Sequence, residues 1–126
     1  MPKHVPKLPG VEPGPYPFSQ VVEANGFVFL AGQVGDAPGS HGAVPGGIEA
    51  ETRAMLENVG RLLTAARLTF ADVVKATVYL RDFGDFAAMN TVYREYFPDD
   101  PPTRATVGVT ALAADYSVEI EVMAAR

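Results

Sequence analysis

The chain of 126 residues contains no cysteine, so disulfides, thiolate nucleophiles and thiolate metal ligands are excluded. It has no apolar run of about 18 residues, and we therefore expect no membrane span. Positive charge is scarce, since ten Lys and Arg residues are set against fifteen Asp and Glu, for a formal net charge of −5. Because phosphate binding depends on clustered Lys and Arg, this balance argues against a nucleic-acid partner.

The N-terminal residues lack the apolar stretch of a secretory signal peptide. With the absence of cysteine, this favours a cytoplasmic location. Histidine is limited to His4 and His41, both in segments predicted to be irregular, whereas a zinc site needs three or four ligands in register. There is no phosphate-binding loop, no HExxH motif and no plausible Ser-His-Asp triad. The sequence therefore predicts neither a metal nor another cofactor.

Apolar residues, by contrast, make up 48% of the chain, enough for the core of one domain over residues 1–126. Residues 1–15 are rich in proline and predict an irregular arm, because proline removes a backbone donor. Residues 19–33 predict a β-hairpin whose turn is Asn25-Gly26, a pair typical of type I′ turns.

The second arm of this hairpin is apolar on both faces. Phe27, Phe29 and Ala31 alternate with Val28 and Leu30. A strand of this kind belongs to a sheet that is covered on both sides. Since two helices can cover only one side, we expect a second copy of the chain to cover the other.

The rest of the chain predicts two helices and three strands. A loop over 34–47 leads to a helix over 48–67, a strand over 73–80, a helix over 85–97 and two strands within 101–126. The order is β-β-α-β-α-β-β, which indicates an α+β fold: one mixed sheet with both helices packed on one face. We expect antiparallel hairpins at both ends of the chain and parallel pairing in the middle.

Helical spacing predicts which residues of the first helix face the core and which face water. Glu49 and Glu51 fall on the predicted water-facing side, near the start of the helix. Asp85 is a plausible N-cap for the second helix. Thr69 and Asp72 are placed to cap a short turn between the first helix and the strand that follows it.

The C-terminal segment carries the candidate chemistry. In the first of the two strands, period-2 alternation places Arg104 and Thr106 on one face and their apolar neighbours on the other. In the second strand, it places Glu119 and Glu121 on the same face. If the apolar faces of both strands point to the core, Arg104 and the two carboxylates share the opposite face. This predicts either a surface salt bridge or a carboxylate-binding arginine beside an acid/base glutamate.

Several segments of the chain, in this order and spacing, resemble the RidA (YjgF) family of reactive intermediate/imine deaminases. The resemblance covers nearly the whole chain. It is carried by GPYPFSQ at 14–20, FLAGQVG at 29–35, VVKATVYLRDFGDFAAMNTVYREYF at 73–97, PPTRATVGVTAL at 101–112 and VEIEVMAA at 118–125.

This resemblance implies a chorismate mutase-like fold and a homotrimer with an active site at each subunit interface. It implies hydrolysis of 2-imino and enamine acids, products of pyridoxal-phosphate enzymes, to 2-oxo acids and ammonia without a cofactor. The matching positions imply catalytic roles for Arg104 in carboxylate binding and Glu119 in water activation. The substrate-binding positions implied by the match are Tyr16, Ala31, Gly32, Asn90 and Thr106.

The chain departs from the family pattern at the pocket wall. Ala31 stands where a serine is common, Thr106 where a cysteine is common, and Leu112-Ala113 replaces a Leu-Pro pair. The missing hydroxyl at Ala31 leaves open a non-catalytic module that binds a small 2-oxo acid. A deaminase dedicated to one pathway is also open. Ribonuclease activity, which has also been ascribed to this family, is disfavoured here by the net negative charge, because RNA binding relies on positive charge.

Overall fold

The computed structural model describes residues 2–126. The described residues include two short 3₁₀ turns, at Phe70–Asp72 and at Phe83–Asp85. The predicted element order and α+β class are confirmed. The strands and helices are β1 Val21–Ala24, β2 Phe27–Val34, α1 Gly47–Ala65, β3 Val73–Leu80, α2 Phe86–Tyr96, β4 Thr103–Gly108 and β5 Val118–Ala125.

The N-terminal hairpin forms as predicted. Asn25 and Gly26 both have positive φ, 53° and 81°, as a type I′ turn requires, and β1 pairs antiparallel with β2. The proline-rich arm is mostly irregular but makes one isolated bridge, in which His4 and Glu23 exchange two backbone hydrogen bonds of 2.8 Å. The arm thereby covers part of the outer edge of β1, a backbone edge that would otherwise be open to other chains.

The five strands form one mixed sheet in the order β1-β2-β5-β3-β4. Helix α2 crosses over between β3 and β4, and these two strands pair in parallel. Strand β5 lies between β2 and β3 and pairs antiparallel with both. The predicted C-terminal hairpin is therefore wrong: residues 109–117 form a connection too long for a tight turn, and β3 separates β4 from β5.

The core lies between one face of the sheet and the two helices. Its members are apolar side chains that alternate along the strands and recur at helical spacing along α1 and α2. In β5 they are Val118, Ile120, Val122 and Ala124, and in α1 they include Met55, Leu56, Val59, Leu62 and Leu63. We call this side the helix face of the sheet and the other side the open face. None of the helices described is both long and apolar enough to cross a membrane.

Glu51 corrects the prediction for the first helix. It is only 4% exposed, and its Oε2 atom accepts hydrogen bonds from the backbone N–H groups of Ser117 and Val118, at 2.6 and 3.2 Å. The prediction that it faces water is wrong because helical periodicity takes no account of backbone donors far away in sequence. Glu49 is exposed, as predicted.

The turns before β3 and α2 are closed by aspartates. Thr69 N–H donates to Asp72 at 2.8 Å in a capping box, as predicted. Asp85 occupies the N-cap position of α2, but its side chain makes no capping hydrogen bond. Instead Asp82 accepts from the Gly84 N–H at 2.9 Å, so the side-chain cap belongs to the 3₁₀ turn that precedes the helix.

The doubly apolar strand β2 buries one of its faces. Val28 and Leu30 pack in the core, whereas Phe27 and Phe29 on the open face are 41% and 39% exposed. On the same face, Val107 of β4 is 40% exposed. The open face therefore combines exposed aromatic and aliphatic side chains with the carboxylates of β5.

Candidate functional site

Arg104 and Glu119 lie on opposite faces of the sheet. Arg104 pairs with Ala76, which is buried under the helices. Glu119 pairs with Tyr79, three residues further along β3 and therefore on the open face. The prediction that Arg104 shares a face with Glu119 and Glu121 is wrong.

The error has a physical cause in strand β4. It is an edge strand, and none of its residues is fully buried. The alternation of polar and apolar residues along a strand indicates the buried face only where one face of the strand packs on a core. Here Ala105 and Val107 are exposed, while Arg104 and Thr106, which alternate with them, are half-buried. The parallel register with β3, rather than side-chain polarity, decides which way the arginine points.

The Arg104 guanidinium is held from two sides by residues of α2. Its Nη1 donates to Asn90 Oδ1 at 2.7 Å. Its carbon Cζ lies 4.6 Å from the ring centroid of Tyr93 and 5.6 Å from that of Phe86, within the range of cation–π attraction. We call Arg104, Asn90, Tyr93, Phe86 and Thr106 the arginine half-site. An arginine fixed in this way loses little freedom when its remaining N–H groups bind an anion.

Two buried oxygen atoms line the arginine half-site. The Tyr93 hydroxyl and Thr106 Oγ1 have no hydrogen-bond partner among residues 2–126. Burial raises the pKa of Tyr93, and the nearby charge of Arg104 acts in the opposite direction. The tyrosine is therefore neutral at physiological pH, and both hydroxyls remain able to donate.

Glu119 lies against the backbone of β2. The register of β2 and β5 shifts between Leu30 and Gln33, which takes Ala31 and Gly32 out of the regular ladder. A Cβ atom at Gly32 would overlap the carboxylate of Glu119 and lie 3.2 Å from its Cδ. Glycine is thus the residue that lets this carboxylate approach the strand. We call Glu119, Gly32, Ala31, Glu121 and Tyr79 the glutamate half-site.

The glutamate half-site favours protonation of its central carboxylate. Burial raises the pKa of Glu119, and the neighbouring charge of Glu121 raises it further. The Tyr79 hydroxyl donates to Glu121 Oε1 at 2.6 Å, and this hydrogen bond raises the pKa of Tyr79. Glu119 is accordingly a stronger base than an ordinary glutamate, as proton transfer near neutral pH requires.

The structure gathers the predicted site residues into two groups. Asn90 contacts Arg104, and Thr106 lies two residues beyond Arg104 along β4. Gly32 lies against Glu119, and Ala31 is its neighbour in β2. Tyr16 is in neither group. It is 64% exposed and stacks on Phe18, with ring centroids 6.2 Å apart.

The sequence patterns did not single out Phe86 and Tyr93, whose rings contact Arg104. One signal was available: Phe86, Asn90 and Tyr93 are spaced four and three residues apart, which places them on one face of a helix. For Glu51 and Tyr79 no comparable local signal exists, because their partners are distant in sequence.

Metal-binding groups are sparse in the described residues. Within 2–126, no three His, Asp or Glu side chains are grouped so that they could hold a metal ion. His4 lies in the arm beside β1 and His41 in the loop before α1. The two half-sites offer a guanidinium cation, carboxylates and hydroxyls.

Comparison with known proteins gives consistent matches across the chain. A family model described as endoribonuclease L-PSP matches residues 12–126. A RutC family protein of Pyrococcus horikoshii is 45% identical over 108 residues, 86% of each chain. The 2-iminobutanoate/2-iminopropanoate deaminase of Capra hircus is 44% identical over 110 residues, which cover 87% of this chain and 80% of that protein.

Solved structures match the fold closely. RidA from the Antarctic bacterium Psychrobacter superposes with a TM-score of 0.87 at 30% identity, covering 98% of this chain and 99% of that one. E. coli TdcF with bound serine superposes with a TM-score of 0.82 at 36% identity, covering 90% and 91%.

Proposed function

The chain belongs to the RidA (YjgF) family, and we propose that it is an imine deaminase. It hydrolyses 2-imino acids and their enamine tautomers to 2-oxo acids and ammonia, without a cofactor, and so removes reactive products of pyridoxal-phosphate enzymes. The observation that carries the proposal is the arginine half-site, where Arg104 is held by Asn90 and two aromatic rings.

Arg104 binds the substrate carboxylate. A guanidinium binds a carboxylate through two parallel N–H···O bonds, and one of its donors is already committed to Asn90. The free donors therefore fix the carboxylate in one orientation, which also fixes the adjacent imine carbon. Asn90 and Thr106 complete this side of the pocket, and Ala31 and Gly32 contact the substrate from the other side. Tyr16, which lies outside both half-sites, is a further substrate contact.

Glu119 activates the attacking water. The carboxylate accepts a proton from the water as its oxygen bonds to the imine carbon, which gives a tetrahedral carbinolamine. Glu119 then returns this proton to the nitrogen. As the C–N bond breaks, the carbinolamine hydroxyl gives its proton to Glu119, so that ammonia and a 2-oxo acid leave. Glu119 finally releases to solvent the proton that the N-protonated imine brought into the reaction. A raised pKa suits this exchange, because the same group must first accept the proton and then release it.

The two half-sites belong to one active site only if two subunits contribute. Within a chain the sheet separates Arg104 from Glu119. We therefore propose that the arginine half-site of one subunit faces the glutamate half-site of its neighbour in a homotrimer, a closed ring of identical contacts. The exposed Phe27 and Phe29 support this, because such an assembly would cover the open face. We further propose one domain over residues 1–126 and a cytoplasmic location.

The test is an assay with imines made in situ. An amino-acid oxidase or a threonine dehydratase supplies 2-iminopropanoate or 2-iminobutanoate, and semicarbazide competes for the imine. The protein should lower semicarbazone formation and speed ammonia release. Arg104→Ala should abolish this effect. Arg104→Lys should recover little of the activity, because a lysine ammonium lacks the planar, paired N–H donors with which a guanidinium binds a carboxylate.

Arg94→Ala is the matched control for Arg104→Ala. Arg94 is an exposed arginine in the last turn of α2, so its removal changes the net charge equally without touching either half-site. We expect full activity. If Arg104→Ala were as active as Arg94→Ala, the role of Arg104 would be refuted. Saturable binding of a 2-oxo acid without turnover of any imine would instead identify a binding module.

A further inference from the structure

Glu51 is a buried carboxylate without an assigned role. It is 4% exposed in the first turns of α1, and burying a charged group is unfavourable unless it is hydrogen-bonded. A single oxygen, Oε2, accepts from the N–H of Ser117 at 2.6 Å and from that of Val118 at 3.2 Å. Both donors stand at the point where the connection 109–117 enters β5.

The backbone of Glu51 also contacts the end of β2. A Cβ atom at Gly35 would overlap the Glu51 carbonyl oxygen and lie 2.9 Å from its carbonyl carbon, so the helix and this glycine are in close contact. Gly35 directly follows Val34, which pairs with Glu119 across the two strands. Glu51 thus contacts the residue that follows β2 and the start of β5, next to the pair formed by Val34 and Glu119.

We propose that Glu51 is a positioning residue for Glu119. It fixes the two amides immediately before Glu119 in the chain, and through them the first residues of β5. This inference rests on the proposed catalytic role of Glu119. The connection before β5 has other contacts, in which Tyr116 Oη accepts from Gly42 N–H at 2.8 Å and Asp115 from Ala43 N–H at 3.0 Å. These contacts restrain the loop, whereas only Glu51, among the side chains described, accepts from the amides of Ser117 and Val118.

The test compares two substitutions. Glu51→Ala removes the acceptor, so the start of β5 separates from α1 and Glu119 shifts from Gly32. Since small displacements of a reacting group reduce turnover strongly, we expect kcat to fall by about 10- to 100-fold. KM should change by less than about twofold, because Arg104 lies on the other face of the sheet. Glu51→Gln should restore most of kcat, because both hydrogen bonds end on one oxygen that an amide oxygen can replace.

Val59→Ala is the control for general destabilisation. Val59 is fully buried in the same helix and belongs to neither half-site. It should lower the temperature of unfolding but leave kcat per folded molecule unchanged. Glu51→Ala with wild-type kcat would overturn the proposal. An equal loss in Glu51→Gln and Glu51→Ala would also overturn it, because acceptor geometry would then not be the cause.

A second measurement does not depend on turnover. In Glu51→Ala, hydrogen exchange at the Ser117 and Val118 amides should speed up, and the pKa of Glu119, followed by carboxyl NMR, should fall towards its ordinary value as the side chain becomes hydrated. Unchanged exchange and an unchanged pKa would refute the positioning role. Changed values in a protein that lacks deaminase activity would support the positioning of Glu119 and refute only the proposed function.

Discussion

Two inactive variants, Arg104→Ala and Glu119→Gln, should regain activity when their subunits assemble together. Each variant alone destroys one half of every site. In a mixed oligomer, however, the intact arginine half-site of a Glu119→Gln subunit can face the intact glutamate half-site of an Arg104→Ala subunit. The expectation follows from the placement of Arg104 on the helix face and Glu119 on the open face.

The expected magnitude follows from the proposed pairing of half-sites between neighbouring subunits. A site is active when the subunit that supplies the arginine is intact at position 104 and its neighbour is intact at position 119. In an equal mixture assembled at random, each condition holds in about half of the cases, so about a quarter of the sites are complete. The recovered activity should therefore be about a quarter of the wild-type value, and it should decline as either variant is made in excess.

The assay mixes the two variants in denaturant, refolds them together and measures ammonia release from an imine made in situ. Native mass spectrometry of differently tagged chains confirms that mixed oligomers form. Each variant refolded alone serves as the control and should remain inactive. If mixed oligomers form at every ratio and none is active, the two residues act within the same subunit, and the assignment of half-sites is refuted.

Other predictions concern single residues. Activity should fall as pH drops through the raised pKa of Glu119, because the carboxylate must be deprotonated to accept a proton. In Glu121→Gln the acid limb of the kcat/KM profile should move to lower pH, because the charge that helps to raise the pKa of Glu119 is removed. An unmoved limb would exclude coupling between the two carboxylates. Because the pKa of Glu119 is raised in the folded state, its charge reduces stability above that pKa, so Glu119→Gln should raise the melting temperature at neutral pH. Gly32→Ala should reduce kcat with little loss of secondary structure by circular dichroism, since its Cβ would displace the Glu119 carboxylate. Gly26→Ala should lower the free energy of unfolding in urea by about 1–2 kcal/mol, because the φ of Gly26 is 81°, which is unfavourable for alanine. Gly14→Ala is the control and should leave the free energy of unfolding nearly unchanged, because a Cβ atom there would lie in open space. Equal losses of stability in the two variants would contradict the assignment of the turn.

Local signals in the sequence predicted the elements well. Asn25-Gly26 predicted the type I′ hairpin, because few other pairs adopt positive φ at both positions. Helical spacing predicted the buried stripe of α1, and strict alternation predicted the buried face of β5. In each case the information lies within a few residues, where short-range sterics and solvent contact decide the conformation.

Long-range contacts explain the failures. The C-terminal strands looked like a hairpin because they are neighbours in the chain, yet strand β3 inserts between them. Glu51 was predicted to face water because of its position on the helix. Its actual partners, the amides of Ser117 and Val118, lie more than sixty positions away in the sequence. No periodicity within α1 carries that information.

The sequence by itself determined the element order, the α+β class and the family, and it predicted Arg104 and Glu119 as the two central residues of the candidate site. Those follow from local patterns and from motifs in a fixed order. Only the tertiary structure decided that Arg104 and Glu119 face opposite sides of the sheet. A side chain on an edge strand takes its face from the register with the neighbouring strand, here the parallel pairing of β4 with β3, and not from the composition of β4 alone.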